Sequence, residues 1–165
     1  MEILKLNSKD WKIYKDLRLE ALQKDSIAFG SSYEESIKKA DAEWQEKVEN
    51  PRGHIFVARE GEEYIGMASA YEEQGEKVGH IAYVWGVYVR ADYRGQKIGK
   101  RLMEAVIDEL RKGGKVEKIN LNVNTKQLTA VKMYESLGFK IAGTLHKEMK
   151  IGGEYFDEHI MEMIF

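Results

Sequence analysis

The sequence predicts an α/β fold with a mixed β-sheet in a single domain that covers residues 1–165. Two observations lead to this prediction. Apolar residues recur with a period of two in some stretches and with a helical period in others, and the two kinds of stretch alternate. Helical segments lie between strands, and such crossovers allow the next strand to run parallel to the previous one. The chain has one proline and no low-complexity segment, so nothing in it predicts a linker.

The first part of the chain is predicted to form a strand and two helices. Residues 2–7 alternate and predict a short strand. Asn7 or Ser8 can cap the next helix, because their side-chain oxygens accept hydrogen bonds from free amides of the first turn. That helix is about four turns long, and the residues that recur on one of its faces are Trp11, Tyr14, Leu17, Arg18, Ala21 and Leu22. A second, more polar helix is predicted from Tyr33 to Val48, before Pro51.

The middle of the chain is predicted to form three strands and a helix. Residues 54–60 and 64–73 flank a turn-rich segment and predict an antiparallel hairpin. Residues 79–89 contain few charges and predict a long strand that is buried on both faces. A helix with one apolar stripe then begins at Ile98 and ends at Gly113-Gly114.

The last part of the chain is predicted to form a strand, a helix and a hairpin. The strand covers residues 118–123, and the short helix runs from Leu128 to its end at Gly138. Two further strands are predicted on either side of Gly152 and Gly153. Each helical crossover allows the following strand to run parallel to the previous one.

Composition excludes several classes of function. The 26 basic and 28 acidic residues are mixed along the chain, which predicts no nucleic-acid partner. The absence of cysteine removes disulfides, thiolate catalysis and Cys-based zinc sites, and four scattered histidines predict no metal site. Apolar stretches are too short to span a membrane, and the N-terminus lacks a secretory hydrophobic core. A cytoplasmic protein without a membrane partner is therefore expected.

The stretch "YRGQKIGKR", residues 93–101, is a candidate anion site. It joins a strand to a helix, so backbone N–H groups at the helix start and the helix dipole favour an anion, most often phosphate. Gly95 and Gly99 would keep side chains away from such a ligand. Four cationic side chains surround it, those of Arg94, Lys97, Lys100 and Arg101. A plain glycine turn with solvated lysines is the alternative, while the Walker and dinucleotide-binding patterns do not match.

Two segments carry a resemblance to a known family. "VYVRADYRGQKIGKRLMEAVIDEL" resembles the coenzyme A-binding segment of the GNAT superfamily of N-acetyltransferases, whose signature is [RQ]-x-x-G-x-[GA]. Arg94 stands at its first position and Gly99 at its last, but Lys97 replaces the middle glycine. With a negative φ, Lys97 would still donate its amide, and its ammonium group would partly compensate. "NVNTKQLTAVKMYESLGF" is similar to a later family segment, with Asn124, Ala130 and Tyr134 at the family's spacing.

The resemblance implies a GNAT-like mixed, mostly antiparallel sheet of about seven strands flanked by about four helices. It also implies acetyl-CoA as cofactor and direct attack of an amine on the thioester. Backbone groups of residues 87–89 would bind the pantetheine arm, and amides of residues 96–100 would bind the pyrophosphate beside Arg94. Asn124 would touch the pantetheine side. The implied cofactor-binding residues are Val87, Tyr88, Val89, Arg94, Gly95, Gln96, Lys97, Ile98, Gly99, Lys100, Asn124, Ala130 and Tyr134.

Tyr134 is the implied general acid, because a phenol can protonate the leaving thiolate. Its helical spacing also suits a core aromatic residue. The general base stays open, since Tyr83 stands where some family members carry a catalytic glutamate and is no obvious base at neutral pH. The carboxylates and the histidine weighed for that role are Glu20, Glu34, Glu35, Glu72, Glu73 and His80.

Aromatic side chains could line the acceptor cleft, although ordinary core and edge packing is the stronger explanation for any one of them. The candidates are Phe29, Tyr33, Tyr83, Trp85 and Tyr155. The sequence thus predicts an acetyl-CoA-dependent N-acetyltransferase whose partner is a small-molecule amine or amino-acid-like acceptor. The alternatives are a protein N-terminal or lysine acetyltransferase and a catalytically inactive CoA-binding sensor. A homodimer is expected by analogy with the family.

Overall fold

The computed structural model describes residues 1–165 as a seven-stranded sheet between two layers of helices. The strands are β1 Glu2–Lys5, β2 Gly53–Glu60, β3 Glu63–Glu72, β4 Ile81–Val89, β5 Lys118–Asn124, β6 Lys140–Ile151 and β7 Glu154–Ile164. The helices are α1 Trp11–Lys24, α2 Tyr33–Ser36, α3 Asp41–Glu49, α4 Ile98–Lys112 and α5 Leu128–Ser136. Short 3₁₀ turns cover Ser8–Asp10, Ser26–Ala28 and Ala91–Tyr93. No helix is both long and apolar enough to cross a bilayer.

The sheet has the order β1-β2-β3-β4-β5-β7-β6, and β4–β5 is its one parallel pair. The predicted mixed, mostly antiparallel sheet is confirmed, with five α-helices instead of about four. Of the helical crossovers, only the one through α4 leads to a parallel neighbour. After α5 the chain enters β6 at the sheet edge, and β7 returns between β5 and β6 to pair antiparallel with both.

The two faces of the sheet are covered by different helices. The larger core cluster lies on the α4 and α5 side, where the apolar stripe of α4 buries Leu102, Met103 and Val106 completely. The smaller cluster lies on the other side, where Tyr14 of α1 and Trp44 of α3 pack against the sheet. Both helix layers therefore fix the central strand β4 from above and below.

β4 contains a bulge in its middle. Met67 pairs with Tyr88 and Ser69 with Trp85, so two residues of β4 oppose Ala68 alone. Gly86 adopts φ +69 within the bulge, a conformation that favours glycine. The extra residue reverses the alternation of faces, and the chain beyond it bends away from β5.

Two expectations about element boundaries and burial are wrong. The helix predicted from Tyr33 to Val48 is two helices, because Ala40 is extended with ψ 154 and its N–H is capped by Glu43 Oε2, which starts α3. The strand predicted from Gly79 begins at Ile81, since the Gly79 N–H bonds to Gly75 in a turn. Burial on both faces of β4 is also wrong, because alternate residues are only half-buried beside an open cleft.

Candidate active site

The site lies where β4 and β5 separate. Their register pairs only residues 81–83 with residues 118–120, and beyond this point a cleft of about 820 Å³ opens between the strands. The Arg90 N–H bonds to Ile65 on β3, whereas the Val89 carbonyl accepts from Arg94 Nε at 2.9 Å on the opposite side. Because backbone direction alternates along a strand, Val87 and Val89 present their polar backbone groups to the cleft.

Tyr88, which was expected to contribute backbone groups as well, also lines the cleft, but its polar groups point away from it. It pairs with Met67 of β3, and its buried side chain donates a hydrogen bond to Glu20 Oε1 at 3.0 Å on the α1 side. Its backbone N–H and C=O groups therefore point to β3 within the sheet. The cleft-facing edge of β4 is formed by its two half-buried neighbours in sequence.

The loop before α4 offers a row of unused backbone donors. The N–H groups of residues 95–100 have no acceptor within the protein, and the first hydrogen bond of the helix runs from Arg101 N to Lys97 O at 3.1 Å. No side chain caps the helix start. Six successive free amides and the positive end of the helix dipole suit an anionic group such as a pyrophosphate.

Two residues of this loop adopt left-handed conformations. Gly95 has φ +81, and Lys97 has φ +61 with ψ 16. The expected negative φ at Lys97 is therefore wrong, and the backbone itself explains why the signature prefers glycine there. Gly99 lines the cleft, as ligand access requires, and it also has a packing role. A Cβ at Gly99 would lie 3.1 Å from Met133 Sδ, so its lack of a side chain lets α4 pack closely against α5.

Cationic side chains surround the free amides. The cleft walls include Arg94, Lys97, Lys100, Lys126 and Lys132. The Arg94 guanidinium also donates to Asp25 Oδ2 at 3.1 Å, which ties the loop to the residue after α1. Of the implied cofactor-binding residues, the buried Ile98 and the half-buried Ala130 line the cleft. The side chain of Gln96 is exposed and lies outside the cleft wall, so only its amide can take part.

Tyr134 of α5 lies in the wall of the same cleft. Its ring packs edge-on against Phe139 at 5.9 Å between centroids, and only 6% of the residue is exposed. Burial raises the pKa of Tyr134 above its usual value. The hydroxyl therefore keeps its proton at physiological pH and is available as a donor. Tyr134 is therefore a core aromatic residue and also part of the cleft wall.

Asn124 is placed differently from the expectation. It is 1% exposed and outside the cleft wall, and both ends of its amide are used inside the protein. Its Nδ2 donates to the Ile27 carbonyl at 3.2 Å, and its Oδ1 accepts from Lys126 N at 2.9 Å. Because Ile27 and Ala28 line the cleft, Asn124 holds a cleft wall in place instead of facing a ligand.

A second cleft of about 990 Å³ lies between the end of α1, the start of α2 and β6–β7. Two of the predicted acceptor residues, Phe29 and Tyr33, line it, while Trp85 lines the first cleft. Tyr83 lines neither and stacks on Tyr71 at 5.5 Å, because it still lies in the paired part of β4 and β5. Tyr155 also lines neither and is 49% exposed.

Two of the carboxylates considered as a base, Glu20 and Glu72, are engaged elsewhere. Glu20 accepts from Arg90 Nη2 at 2.8 Å, and Glu72 is within 2.9 Å of His54 Nε2. Burial raises the pKa of Glu20, but hydrogen bonds from Arg90 and Tyr88 outweigh it and lower the pKa overall. Glu34 lines the second cleft, and its carboxylate has no hydrogen-bond partner.

Glu158 of β7 was missed by the sequence analysis. It lines the second cleft, and its Oε2 accepts from Nδ2 of Asn122, which lines the first cleft, at 3.2 Å. Burial raises the pKa of Glu158, the Asn122 hydrogen bond opposes this, and the charge of Glu148 raises it further. Glu158 is thus a carboxylate with a raised pKa that lines the second cleft and contacts a residue of the first.

The acetyltransferase (GNAT) family model matches residues 13–139. The chain belongs to the GNAT family. It is 27% identical to the L-amino acid N-acetyltransferase AaaT of Escherichia coli, over 76% of this chain and 77% of that protein. It is 33% identical to the ribosomal protein bS18-alanine N-acetyltransferase of E. coli, over 60% of this chain and 66% of that protein.

Solved structures share the GNAT fold along nearly the whole chain. A GNAT acetyltransferase from Streptococcus pneumoniae superposes with a TM-score of 0.85 at 20% identity, covering 99% of this chain and 100% of the other. A putative acetyltransferase from Salmonella typhimurium, solved with acetyl-CoA, gives a TM-score of 0.83 at 18% identity, covering 99% and 93%. The predicted family, the N-acetyltransferase class and acetyl-CoA as cofactor are confirmed.

The GNAT cleft of this chain fits acetyl-CoA by its chemistry. The cofactor carries phosphates, a pantetheine arm with amide groups, and a thioester. Free amides and lysines suit the phosphates, and the open edge of β4 suits the arm, because backbone groups there lack strand partners. We propose that residues 95–100 hold the pyrophosphate and that Val87 and Val89 hold the arm.

The conformation of Lys97 leads to a first prediction. Lys97→Gly should be more stable than Lys97→Ala by about 1 kcal/mol, because alanine keeps the strain of a left-handed residue and glycine removes it. Urea unfolding of the two variants measures this difference. Both lose the same ammonium group, so both should bind acetyl-CoA a few-fold more weakly than the parent protein. Equal stability of the two variants would contradict a left-handed Lys97.

Proposed function

We propose that this GNAT N-acetyltransferase acetylates the amine of a small, amino-acid-like acceptor. The observation that carries the proposal is the Asn122–Glu158 pair, which joins the cleft of free amides to the second, partly aromatic cleft. One cleft suits the acyl donor and the other suits an acceptor. The similarity to an L-amino acid N-acetyltransferase supports a small acceptor.

When bound, acetyl-CoA would supply an acetyl thioester for direct attack by the amine. Residues of the chain provide position and proton transfer. Glu158 accepts a proton from the acceptor ammonium at its carboxylate, so that the amine becomes nucleophilic. The Tyr134 hydroxyl donates a proton toward the leaving sulfur. The strand edge at Val87 and Val89 orients the donor, and holding both reactants converts a bimolecular step into an effectively unimolecular one.

Acetylation of a protein N-terminus is the second candidate. It is supported by the 33% identity to the ribosomal protein bS18-alanine N-acetyltransferase. A free amino acid and a protein N-terminus differ at one group next to the amine, since the amino acid carries a carboxylate there and the protein an amide. The two candidates therefore predict opposite preferences for matched acids and amides.

Turnover with a panel of amines tests the proposal. Polyamines, L-amino acids, aminoglycosides and peptides are each incubated with enzyme and acetyl-CoA, and the release of free thiol is measured. We expect thiol release with L-amino acids above the background without acceptor. Release with none of the amines would contradict the proposal and would favour a CoA-binding sensor module.

Binding of the cofactor is tested separately from turnover. A ligand at about 100 times its Kd stabilises the native state by about 2.7 kcal/mol, so acetyl-CoA should raise the midpoint of thermal unfolding. Free acetate at the same concentration is the control and should leave it unchanged. No stabilisation by millimolar acetyl-CoA would contradict the assignment of the cleft. A single domain, a homodimer and a cytoplasmic location stay predictions of the sequence.

A further inference from the structure

Arg18 of α1 is a buried cation without a partner. Only 8% of the residue is exposed, and its Nη1 is fully buried with no hydrogen-bond acceptor. Burial lowers the pKa of Arg18, and the nearby Tyr14 opposes this shift. Lys47 is a second cation that interacts with Arg18, and no carboxylate forms an ion pair with the guanidinium. Leaving a buried guanidinium unpaired destabilises a protein by several kcal/mol, so the arrangement calls for an explanation.

Other unpaired polar atoms gather around Arg18. Five buried side-chain atoms of the chain lack a partner, and besides Arg18 Nη1 they include Tyr14 Oη, Ser69 Oγ and Trp85 Nε1. These groups meet at the bulge of β4. A Cβ at Gly86 would lie 3.4 Å from Arg18 Nη1 and 3.7 Å from Ser69 Oγ, and the Tyr14 and Trp85 rings are 5.9 Å apart. Each of these groups can donate a hydrogen bond.

The Arg18 guanidinium lines neither cleft itself, but it contacts residues that line both. It stacks on Phe29 at 4.6 Å, and the Phe29 ring lines the second cleft. It also faces Trp85 at 5.5 Å, and both Trp85 and Gly86 line the first cleft. Contact with two aromatic rings compensates part of the desolvation of the guanidinium. The guanidinium still lacks an anionic partner.

We propose that Arg18 binds the carboxylate of the acceptor, and that the acceptors are therefore amino acids with a free carboxylate. This inference rests on the proposed function and narrows it. A guanidinium matches a carboxylate with paired N–H donors, and hydrogen bonds between charged groups are stronger than neutral ones. Ser69 and Tyr14 supply neutral donors beside it. A protein N-terminus or a polyamine carries no anion next to its amine, so Arg18 discriminates against both.

Arg18→Met tests this inference, because methionine retains much of the apolar volume and removes the charge. The acceptors are the best carboxylate-bearing substrate of the amine panel and its primary amide. We expect kcat/KM for the acid to fall by about 100-fold, because a hydrogen bond to a charged group contributes about 1.5–3 kcal/mol. For the amide, kcat/KM should fall by less than about 3-fold. The midpoint of thermal unfolding should stay unchanged or rise, since an unpaired buried charge is removed.

Lys47→Met is the matched control. The Lys47 ammonium lies 5.2 Å from the same Trp85 ring, so this variant also removes a cation beside the indole. It should leave the ratio of kcat/KM for acid and amide within about 3-fold of the parent value, because no second charged hydrogen bond is lost. Equal losses for acid and amide in Arg18→Met, or no loss for either, would overturn the inference. A wild-type preference for the amide would also overturn it.

Direct binding separates this inference from the proposed function. N-acetyl-L-amino acids with apolar, polar and charged side chains, together with their primary amides, are titrated into the protein by calorimetry in the presence of coenzyme A. We expect an N-acetyl acid to bind the parent protein more tightly than its amide and to lose that advantage in Arg18→Met. This result would support the carboxylate site even if no amine is acetylated. Equal binding of every acid and its amide would overturn it even if acetylation is observed.

Discussion

Tyr134→Phe is expected to lower kcat by about 100- to 10,000-fold, the range that a positioned acid–base group contributes. The hydroxyl has no partner in the protein and keeps its proton at physiological pH, because burial raises the pKa of Tyr134. Phenylalanine preserves the packing against Phe139. Binding of acetyl-CoA and the midpoint of thermal unfolding should therefore stay close to the parent values, so that the loss belongs to the chemical step.

Tyr71→Phe is the control for Tyr134→Phe. Tyr71 lies on β3, outside both clefts, and stacks on Tyr83. Removing its hydroxyl should change kcat only slightly. Steady-state assays of free thiol release with the best acceptor compare the two variants. Unchanged turnover in Tyr134→Phe would remove the acid role, and an equal loss in both variants would point to a general effect on the fold.

Glu158→Gln is expected to lower kcat/KM at neutral pH by about 100-fold or more, because the proposed proton acceptor is lost. In the parent enzyme, activity should fall on the acid side as Glu158 becomes protonated. Burial raises the pKa of Glu158, so this acid limb should lie above the usual range of a glutamate. The variant should lack the limb. Activity measured across pH in both proteins provides the test.

Glu148→Gln gives the matched control for the pH profile. The charge of Glu148 contributes to the raised pKa of Glu158, so its removal should move the acid limb to lower pH without abolishing it. An unchanged profile in Glu158→Gln would exclude this residue as the base. A limb that vanishes in both variants would show that the pair acts together, and would contradict the assignment to Glu158 alone.

The raised pKa of Glu158 also makes the stability of the protein depend on pH in a definite direction. A carboxyl group whose pKa is raised by folding stabilises the native state at low pH, and this stabilisation is lost as pH rises through the raised pKa. Glutamine is uncharged, so it avoids the cost of burying an ionised carboxylate at neutral pH. Glu158→Gln should therefore be at least as stable as the parent at neutral pH and lose this advantage in acid. Thermal unfolding at several pH values measures the difference.

The fold was largely predictable because its signals are local. Changes of apolar periodicity marked every strand and four of the five helices, and two spaced motifs marked the cleft. The interruption between α2 and α3 was not predictable in the same way. It depends on the extended backbone of Ala40 and the cap from Glu43, and the helical spacing of the surrounding residues conceals both.

The site was predictable where one segment forms it and unpredictable where distant segments meet. The free amides of residues 95–100 follow from a glycine-containing strand-to-helix turn, but the left-handed Lys97 is a property of the folded loop. Glu158 became relevant only when β7 paired with β5 and placed it opposite Asn124. Arg18 did give a signal, since it is a charge on the apolar stripe of α1. A charged residue at a core position is a reason to look for a ligand.

A single competition reaction tests the central claim most directly. The enzyme is incubated with limiting acetyl-CoA and equal concentrations of an L-amino acid mixture, a polyamine and a peptide with a free N-terminus, and the acetylated products are identified by mass spectrometry. We predict that N-acetyl-amino acids are the main products and that they disappear in Tyr134→Phe. A predominant acetylated peptide or polyamine, or the absence of any acetylated product, would contradict the proposed acetylation of small amino-acid acceptors.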